Sequence, residues 1–290
     1  MSAVRVTIRE AYEGDKNQIL AISQRIWEGD DYVPQVLDAW LREGGLLVAE
    51  LSGQVVGFAK TTELAPGELW LEGLRVHPDH QGKGIAKALA QAQLEHALSK
   101  KPRTIRLATV EENAASLHIA RELGFREAAR FFYLEADVEK PSRAAVLRRP
   151  DPEEAWEFLC ASAALREARG LVGLGWRFRT LTPELLRALW EAGGVLARGS
   201  PVEGLLLLSS DPYTPKEIAV LVLLDGEEDA LPDLLSGAQA WAWERKQRIL
   251  AAMVAAPWIF SFLTRKGFQF VPELGAVLVL EYVPIKLEEA

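Results

Sequence analysis

The chain has 290 residues, with 41 Asp and Glu against 33 Lys and Arg and a formal charge of −8. That balance excludes nucleic acid as the expected main partner, because a phosphate backbone needs a basic face. With 49% hydrophobic residues, the chain can bury the cores of two ordinary domains.

No apolar run approaches the roughly 20 residues that span a bilayer, and Met1–Arg5 starts no signal peptide. A cytoplasmic protein without a membrane partner is therefore expected. The single cysteine, Cys160, excludes an intramolecular disulfide, fits a reducing compartment, and reads as a small buried hydrophobe.

Taken in order, the first half reads as strand Val4–Arg9, helix Lys16–Trp27, helix Val33–Arg42 and strand Leu46–Leu51. A Ser52-Gly53 turn leads to strand Val55–Thr61, then strand Glu68–Val76. Helix Gly84–Ser99 follows, its apolar face marked by Ile85, Ala88, Leu89 and Ala92 at i, i+3, i+4 and i+7. Strand Thr104–Val110, helix Ala115–Leu123 and strand Arg130–Asp137 complete it. Strands alternating with helices predict an α/β layered fold. Glu139-Lys140-Pro141-Ser142-Arg143 reads as a linker between domains at 1–140 and 141–290.

The most informative stretch runs from Leu74-Arg75-Val76-His77-Pro78 through Gln81-Gly82-Lys83-Gly84-Ile85-Ala86-Lys87. It predicts a strand, a tight glycine turn and the first turn of a helix. Such a turn offers N–H groups without intrahelical acceptors and the positive end of the helix dipole. A diphosphate fits there, and Gly82 and Gly84 have no Cβ to bar its approach. Lys83 and Lys87 add two cations. The P-loop pattern is excluded, because no Lys-Ser/Thr pair follows the second glycine. The dinucleotide fingerprint is excluded by the missing third glycine and distal acid.

The Gln81–Ala86 segment resembles the acyl-CoA loop, Gln/Arg-x-x-Gly-x-Gly/Ala, of the GCN5-related N-acetyltransferase (GNAT) superfamily. The later block Asn113-Ala114-Ala115-Ser116 … Leu123-Gly124-Phe125 is similar to that family's second block, an Asn opening a helix that closes at Gly-Phe. The resemblance covers residues 4–138. It implies acetyl-CoA, or another acyl-CoA, as co-substrate, with backbone around Leu74, Arg75 and Val76 holding the pantetheine and acyl carbonyl. It further implies Gln81, Gly82, Lys83, Gly84, Ile85 and Ala86 at the diphosphate and Asn113 on the pantetheine arm, where its plainer use is a helix N-cap. The family's amine attacks the thioester directly, so a base and an acid are sought. Glu72 lies on a face predicted to include Trp70, Leu74 and Val76, where apolar neighbours would raise its pKa toward a base's range. Glu68, Glu63, Asp30 and Asp31 are fallbacks, and a water relay needs none of them. The family's acid is a Tyr five residues before the Phe of Gly-Phe. Here that position is Ala120, leaving Tyr133 or solvent. His118 would point about 200° away on its helix. His77, His80 and Cys160 make no metal-ligand spacing, and no metal is expected.

In relatives the helix pair Lys16–Arg42 forms the acceptor wall. Its connecting Glu28-Gly29-Asp30-Asp31-Tyr32, with three carboxylates, hints at a cationic acceptor. Asp30 and Asp31 changed to Asn should then raise its KM. Trp27, Trp40, Trp70, Trp156 and Trp176 are core or pocket aromatics.

The second half echoes the first. Gly193-Gly194-Val195-Leu196-Ala197 repeats Gly44-Gly45-Leu46-Leu47-Val48-Ala49, and Gly267-Phe268 repeats Gly124-Phe125. Strand Ile218–Leu224, helix Ala230–Lys246, strand Arg248–Val254 and helix Trp258–Lys266 lie between. A second, degenerate GNAT-like domain is expected, each domain a mixed, mostly antiparallel sheet flanked by helices. Asp225-Gly226-Glu227-Glu228-Asp229 stands where the glycine loop would be and would repel a diphosphate. Ala256 takes the place of Asn113. The expected activity is acetyl transfer to a primary amine of a small molecule or protein. The alternatives are a non-catalytic acyl-CoA-binding or sensing protein, and a paired interaction module, with a homodimer possible.

Overall fold

The computed structural model describes residues 6–26, 29, 31–140, 146–210 and 215–284, leaving aside the side chain of Glu273. Trp27, Glu28, Asp30, Pro141, Ser142 and Arg143 lie outside the described residues. The chain forms two compact units that interleave along the sequence. The first comprises Met1–Leu107, Ala114–Arg126 and Leu280–Ala290, and the second Ala108–Asn113 and Glu127–Val279.

The first unit is built on β1 (Thr7–Glu10), α1 (Lys16–Ser23), α2 (Val33–Glu43), β2 (Leu46–Leu51), β3 (Gln54–Ala65) and β4 (Glu68–Val76). Then come α3 (Ile85–Ser99), β5 (Thr104–Val110) and α4 (Ala114–Glu122). Strand order is β1-β2-β3-β4-β5. Every pair is antiparallel except β4–β5, which α3 connects as a parallel crossover. α2 forms because Val33, Val36, Leu37 and Trp40 repeat at helical spacing and are all buried, with Pro34 in a first turn that needs no N–H. Gly44, at φ 74°, ends it. Across one face of the sheet, Ile85 and Leu89 of α3 pack on Leu47, Ala49, Val56, Ala59 and Val76.

At the sheet's outer edge, Arg9 binds the buried Asp15 carboxylate at 2.7 and 2.8 Å and Glu50 at 2.8 Å. The Arg9 hydrogen bonds, outweighing burial, hold the Asp15 carboxyl below its ordinary value. A depressed carboxyl contributes stability above its unfolded pKa near ~4 and loses it as pH falls through the lower folded value. Asp15→Asn should therefore cost about 2 kcal/mol at neutral pH. The difference in urea midpoint between variant and wild type should hold steady above about pH 5 and narrow as pH falls below about 4.

The second unit takes in β6 (Phe125–Asp137), α5 (Pro152–Ala161), α6 (Ala163–Glu167), β7 (Leu171–Leu174), β8 (Arg177–Thr180) and α7 (Pro183–Glu191). It continues through β9 (Val195–Arg198), β10 (Gly204–Ser209), β11 (Ile218–Gly226), α8 (Leu231–Glu244), β12 (Ile249–Val254), α9 (Pro257–Arg265), β13 (Gln269–Phe270) and β14 (Ala276–Tyr282), whose end from Leu280 onward belongs to the first unit. Its strands run β14-β6-β12-β11-β10-β9, with β7–β8 as a separate hairpin. β9, β10 and β11 are antiparallel, and α8 links β11 to a parallel β12. This repeats β2-β3-β4-α3-β5.

The echoed glycines mark matching corners of the repeat. Gly44 and Gly193 have φ of 74° and 73°, and Gly124 and Gly267 have φ of 95° and 93°. Thr61 N–H donates to Gly45 O at 2.9 Å, and Leu208 N–H to Gly194 O at 2.7 Å. Both halves thus carry the expected layered α/β fold. The elements read from the sequence lie close to described ones, whereas α5, α6, β7, β8, α7, β10, β13 and β14 have no counterpart in the sequence reading. Cys160 corrects one expectation. It is exposed, because Ala155 and Leu159 take the buried face of α5 and the next residue turns outward.

Candidate functional site

The site begins with an irregularity in β4. Between the pairs Phe58↔Arg75 and Lys60↔Glu72, β3 advances two residues and β4 three, so β4 carries a bulge at Gly73-Leu74. Gly73 has φ 70°, the left-handed conformation such a bulge needs. The extra residue reverses the alternation expected for this strand. Val76 and Leu74 turn to the α3 face, among Ile85 and Leu89. Glu72 shares the opposite face with Trp70 and, beyond the bulge, with Arg75. There Thr62 Oγ1 donates to Glu72 Oε1 at 2.6 Å. Two supports hold the bulge. Gln93 Nε2 of α3 donates to the carbonyls of Lys60 (2.6 Å) and Glu72 (3.3 Å). On the other face the buried Trp40 ring lies where a Cβ on Gly73 would be 2.7 Å from it.

The bulge precedes an open strand edge. The β4–β5 ladder stops at Trp70↔Arg106. His77 N–H donates to Val56 O at 2.9 Å, so by alternation Arg75 faces β3 while Leu74 and Val76 face away from it. Consistent with that, side chains reach both outward carbonyls, Arg75 Nη1 to Leu74 O at 3.2 Å and Gln81 Nε2 to Val76 O at 3.3 Å.

The loop follows at once. A 3-10 turn, Pro78–His80, brings the chain to Gly82 (φ 72°) and Gly84 (φ 80°), the latter capping α3. The first helical bond is Ala88 N–H to Gly84 O. Among the described residues, the N–H groups of Gly82, Lys83, Gly84, Ile85, Ala86 and Lys87 have no protein acceptor. A Cβ on Gly82 or Gly84 would meet nothing within 4 Å, so this face is open. Six consecutive donors at a helix N-terminus suit a diphosphate. The two lysines contribute less directly. Lys83 Nζ donates to Asp79 O at 2.9 Å, and Lys87 pairs with Glu122 at 3.1 Å. Arg25, absent from the sequence-based candidates, braces the approach through Asp79 at 3.1 Å and His77 at 3.3 Å. A pairing across 54 residues leaves no local signal in the sequence.

The fallback carboxylates in the first unit are already engaged. Glu63 accepts from Gly67 N–H at 3.0 Å, and the buried Glu68 lies 3.8 Å from Arg106, which also binds Glu281 at 2.6 Å. Asp31 is tied to Arg75 and Ser23. Ala120 is buried in α4, and His118 on its exposed side lies 3.6 Å from Glu122. Asn113 and Tyr133 belong to the second unit. Asn113 is exposed just ahead of α4, its N–H bonded to Val110 O at 3.0 Å. Tyr133 stacks on Trp176 and donates to Glu135 Oε2 at 2.9 Å, and burial together with that carboxylate pushes its phenol pKa well up. Among the described residues no group of three or more His, Cys, Asp or Glu is placed to hold a metal ion. No helix among them is long and apolar enough to cross a membrane.

The corresponding loop of the second unit is closed. Asp225 is buried and accepts from Ser162 Oγ at 2.5 Å and Ala164 N–H at 3.1 Å. Glu227 N–H is taken by Glu203 O, and Ala230 N–H by Glu227 O. Pro232 removes a donor from the first turn of α8. Asp229 and Asp233 pair with Arg198 at 3.0 and 3.3 Å. Where β11 and β12 part, α6 and β7 pack against β11. An apolar cavity lined by Phe131, Ala164, Leu223, Val254 and Ile259 among others measures about 30 Å³. A bound organic ligand needs several hundred.

The family model of the acetyltransferase (GNAT) family matches residues 14–125. A histidine N-acetyltransferase of Scomber australasicus is 38% identical over 95 residues, covering 32% of this chain and 28% of the relative. A mycothiol acetyltransferase of Amycolatopsis mediterranei is 37% identical over 97 residues, covering 30% and 32%. The chain thus spans about a third of the length of these curated relatives. Likeness over the whole chain is one of fold. A GCN5-related N-acetyltransferase from Sphaerobacter thermophilus superposes with TM-score 0.66 at 14% identity, covering 95% of each chain. A tandem GNAT protein from the clavulanic acid biosynthesis pathway superposes with TM-score 0.58 at 16% identity, covering 96% and 98%. Residues 14–125 of this chain match the acetyltransferase (GNAT) family, and the chain as a whole has a tandem GNAT-like fold.

Proposed function

We propose that the chain transfers an acetyl group from acetyl-CoA to a primary amine, with the first unit holding the acetyl-CoA and the second holding none. The observation that carries this reading is the run of six acceptor-less N–H groups from Gly82 to Lys87, on an open face beside the free edge of β4. In it, the Gly82–Lys87 donors hold the diphosphate, and the Leu74 and Val76 edge bonds the pantetheine and orients the thioester carbonyl. Acetyl-CoA supplies the activated acyl group and the thiolate leaving group. Glu72, on the α2 side of the bulge with its Oε1 on Thr62, receives the ammonium proton.

The protonation of the leaving thiolate falls to solvent in this reading, because Ala120 offers no proton and Tyr133 donates its own to Glu135. The same two residues favour a second reading, an acyl-CoA-binding protein without catalysis. Calorimetric titration of acetyl-CoA into the full chain, followed by a coenzyme A release assay over an amine panel that includes histidine, tests both. One site per chain with release in the presence of an amine is the expected result. One site without release on any amine would favour the binding protein. Two sites per chain would refute the closed second loop, and none would end the acetyl-CoA reading.

A further inference from the structure

We propose that Asp31 is a positioning residue for the β4 edge that holds the acyl group, and that it forms no part of the surface that meets the amine. The inference rests on the acetyl-CoA reading and deepens it. In sequence, Asp31 belongs to an acidic connection between α1 and α2, the kind of place where a cationic acceptor would be expected to dock. In the fold its side chain is fully buried. Oδ1 accepts from Arg75 Nη2 at 3.2 Å, and Oδ2 from Arg75 Nε at 3.3 Å. Ser23 Oγ, at the end of α1, donates to Oδ2 at 2.9 Å. This is a two-pronged carboxylate–guanidinium pair, the geometry that fixes orientation as well as charge.

What the pair orients follows from the third bond of the guanidinium. Arg75 Nη1 donates to Leu74 O at 3.2 Å, so the fork that grips Asp31 also grips the carbonyl next to the bulge. The Tyr32 ring lies 5.8 Å from the same guanidinium and stands edge-on to Trp40, whose ring fills the space over Gly73. Ser23, Asp31, Tyr32 and Trp40 therefore converge from the helix pair on Gly73, Leu74 and Arg75. A buried carboxylate is retained at a desolvation cost only when its partners are fixed. Removing its charge frees the guanidinium to follow the carbonyl into other rotamers. The Leu74 peptide then loses the orientation that presents the outward edge, and the acyl group is held less well.

The test needs no acceptor. Acetyl-CoA is titrated into wild type, Asp31→Asn, Arg75→Met and the double variant, and amide hydrogen exchange is followed at Leu74 and Val76, with Ala97 in α3 as reference. Each single variant should raise the acetyl-CoA Kd about tenfold, and the double no further than either alone, because the two act as one device. Exchange at Leu74 and Val76 should quicken while Ala97 does not change. If Asp31→Asn proves unfolded, Ser23→Ala replaces it, with a rise of about threefold expected. An unchanged Kd together with unchanged exchange in a folded Asp31→Asn would overturn the inference, as would strictly additive effects. Should wild type bind no acetyl-CoA, the functional reading fails by itself. The exchange at Leu74 and Val76 then decides the positioning role.

Discussion

Gly84→Glu should raise the Kd for acetyl-CoA at least ~100-fold, a loss of about 2.7 kcal/mol. Three effects combine. The new side chain projects into the space that now holds nothing within 4 Å, so it occupies the diphosphate's place. A carboxylate about 5 Å from a phosphate charge costs about 3 kcal/mol at an effective dielectric near 20. The φ of 80° also strains any side chain, and a helix start relieved of that strain would turn its N–H groups away. Gly84→Ala separates the contributions. It carries the strain without the bulk or charge and should weaken binding only severalfold, for a stability cost of about 1 kcal/mol. Calorimetry on the three proteins checks the series. Binding by Gly84→Glu within threefold of wild type would remove the loop from the site.

Gly73→Val should be the most damaging single substitution for the first unit, at about 3–5 kcal/mol. A β-branched residue at φ 70° is a backbone outlier that costs about 2 kcal/mol. Its Cβ would also meet the Trp40 ring at 2.7 and 2.9 Å, and overpacking of this kind costs roughly 1–3 kcal/mol. A fall in apparent Tm on the order of 10 °C follows for a protein of this size. Adding Trp40→Phe should relieve the clash and leave the backbone strain, so the double variant should lie between. A Gly73→Val protein within 1 kcal/mol of wild type by urea midpoint would show that the bulge is not held as described.

Much of this was legible in the residues. Helical spacing located α3, alternation located β5, and the paired glycines at 44, 124, 193 and 267, all left-handed in the fold, exposed the repeat. The glycine loop was legible because its chemistry is local and backbone-borne. Side-chain geometry was not. A lone glycine inside a strand signals a bulge. Reading Gly73 that way would have placed Leu74 and Val76 on the α3 face and Arg75 beside Glu72. Asp31 and Arg75 lie 44 residues apart, and no period links them. The carboxylate therefore looked like an open invitation to a cation when it is a buried partner. Cys160 was misplaced for a simpler reason. α5 had not been recognised, and composition alone cannot say which side of a helix a residue takes.

The interleaving of the units bears on the order of events during biosynthesis. Arg106 in β5 finds a partner in Glu281, which lies in the last segment of the first unit. A ribosome adding 5–20 residues per second reaches that glutamate roughly eight to thirty seconds after Arg126 has been made. Until then the Arg106 guanidinium has Glu68 at 3.8 Å but lacks its shorter contact to Glu281, so the half of the chain that emerges first matures late. Nascent chains stalled before residue 281 should be more open to proteolysis in the first half than released protein. A duplicated fold of this kind would be inherited as a whole, because cutting it at its midpoint separates one half from its final strand.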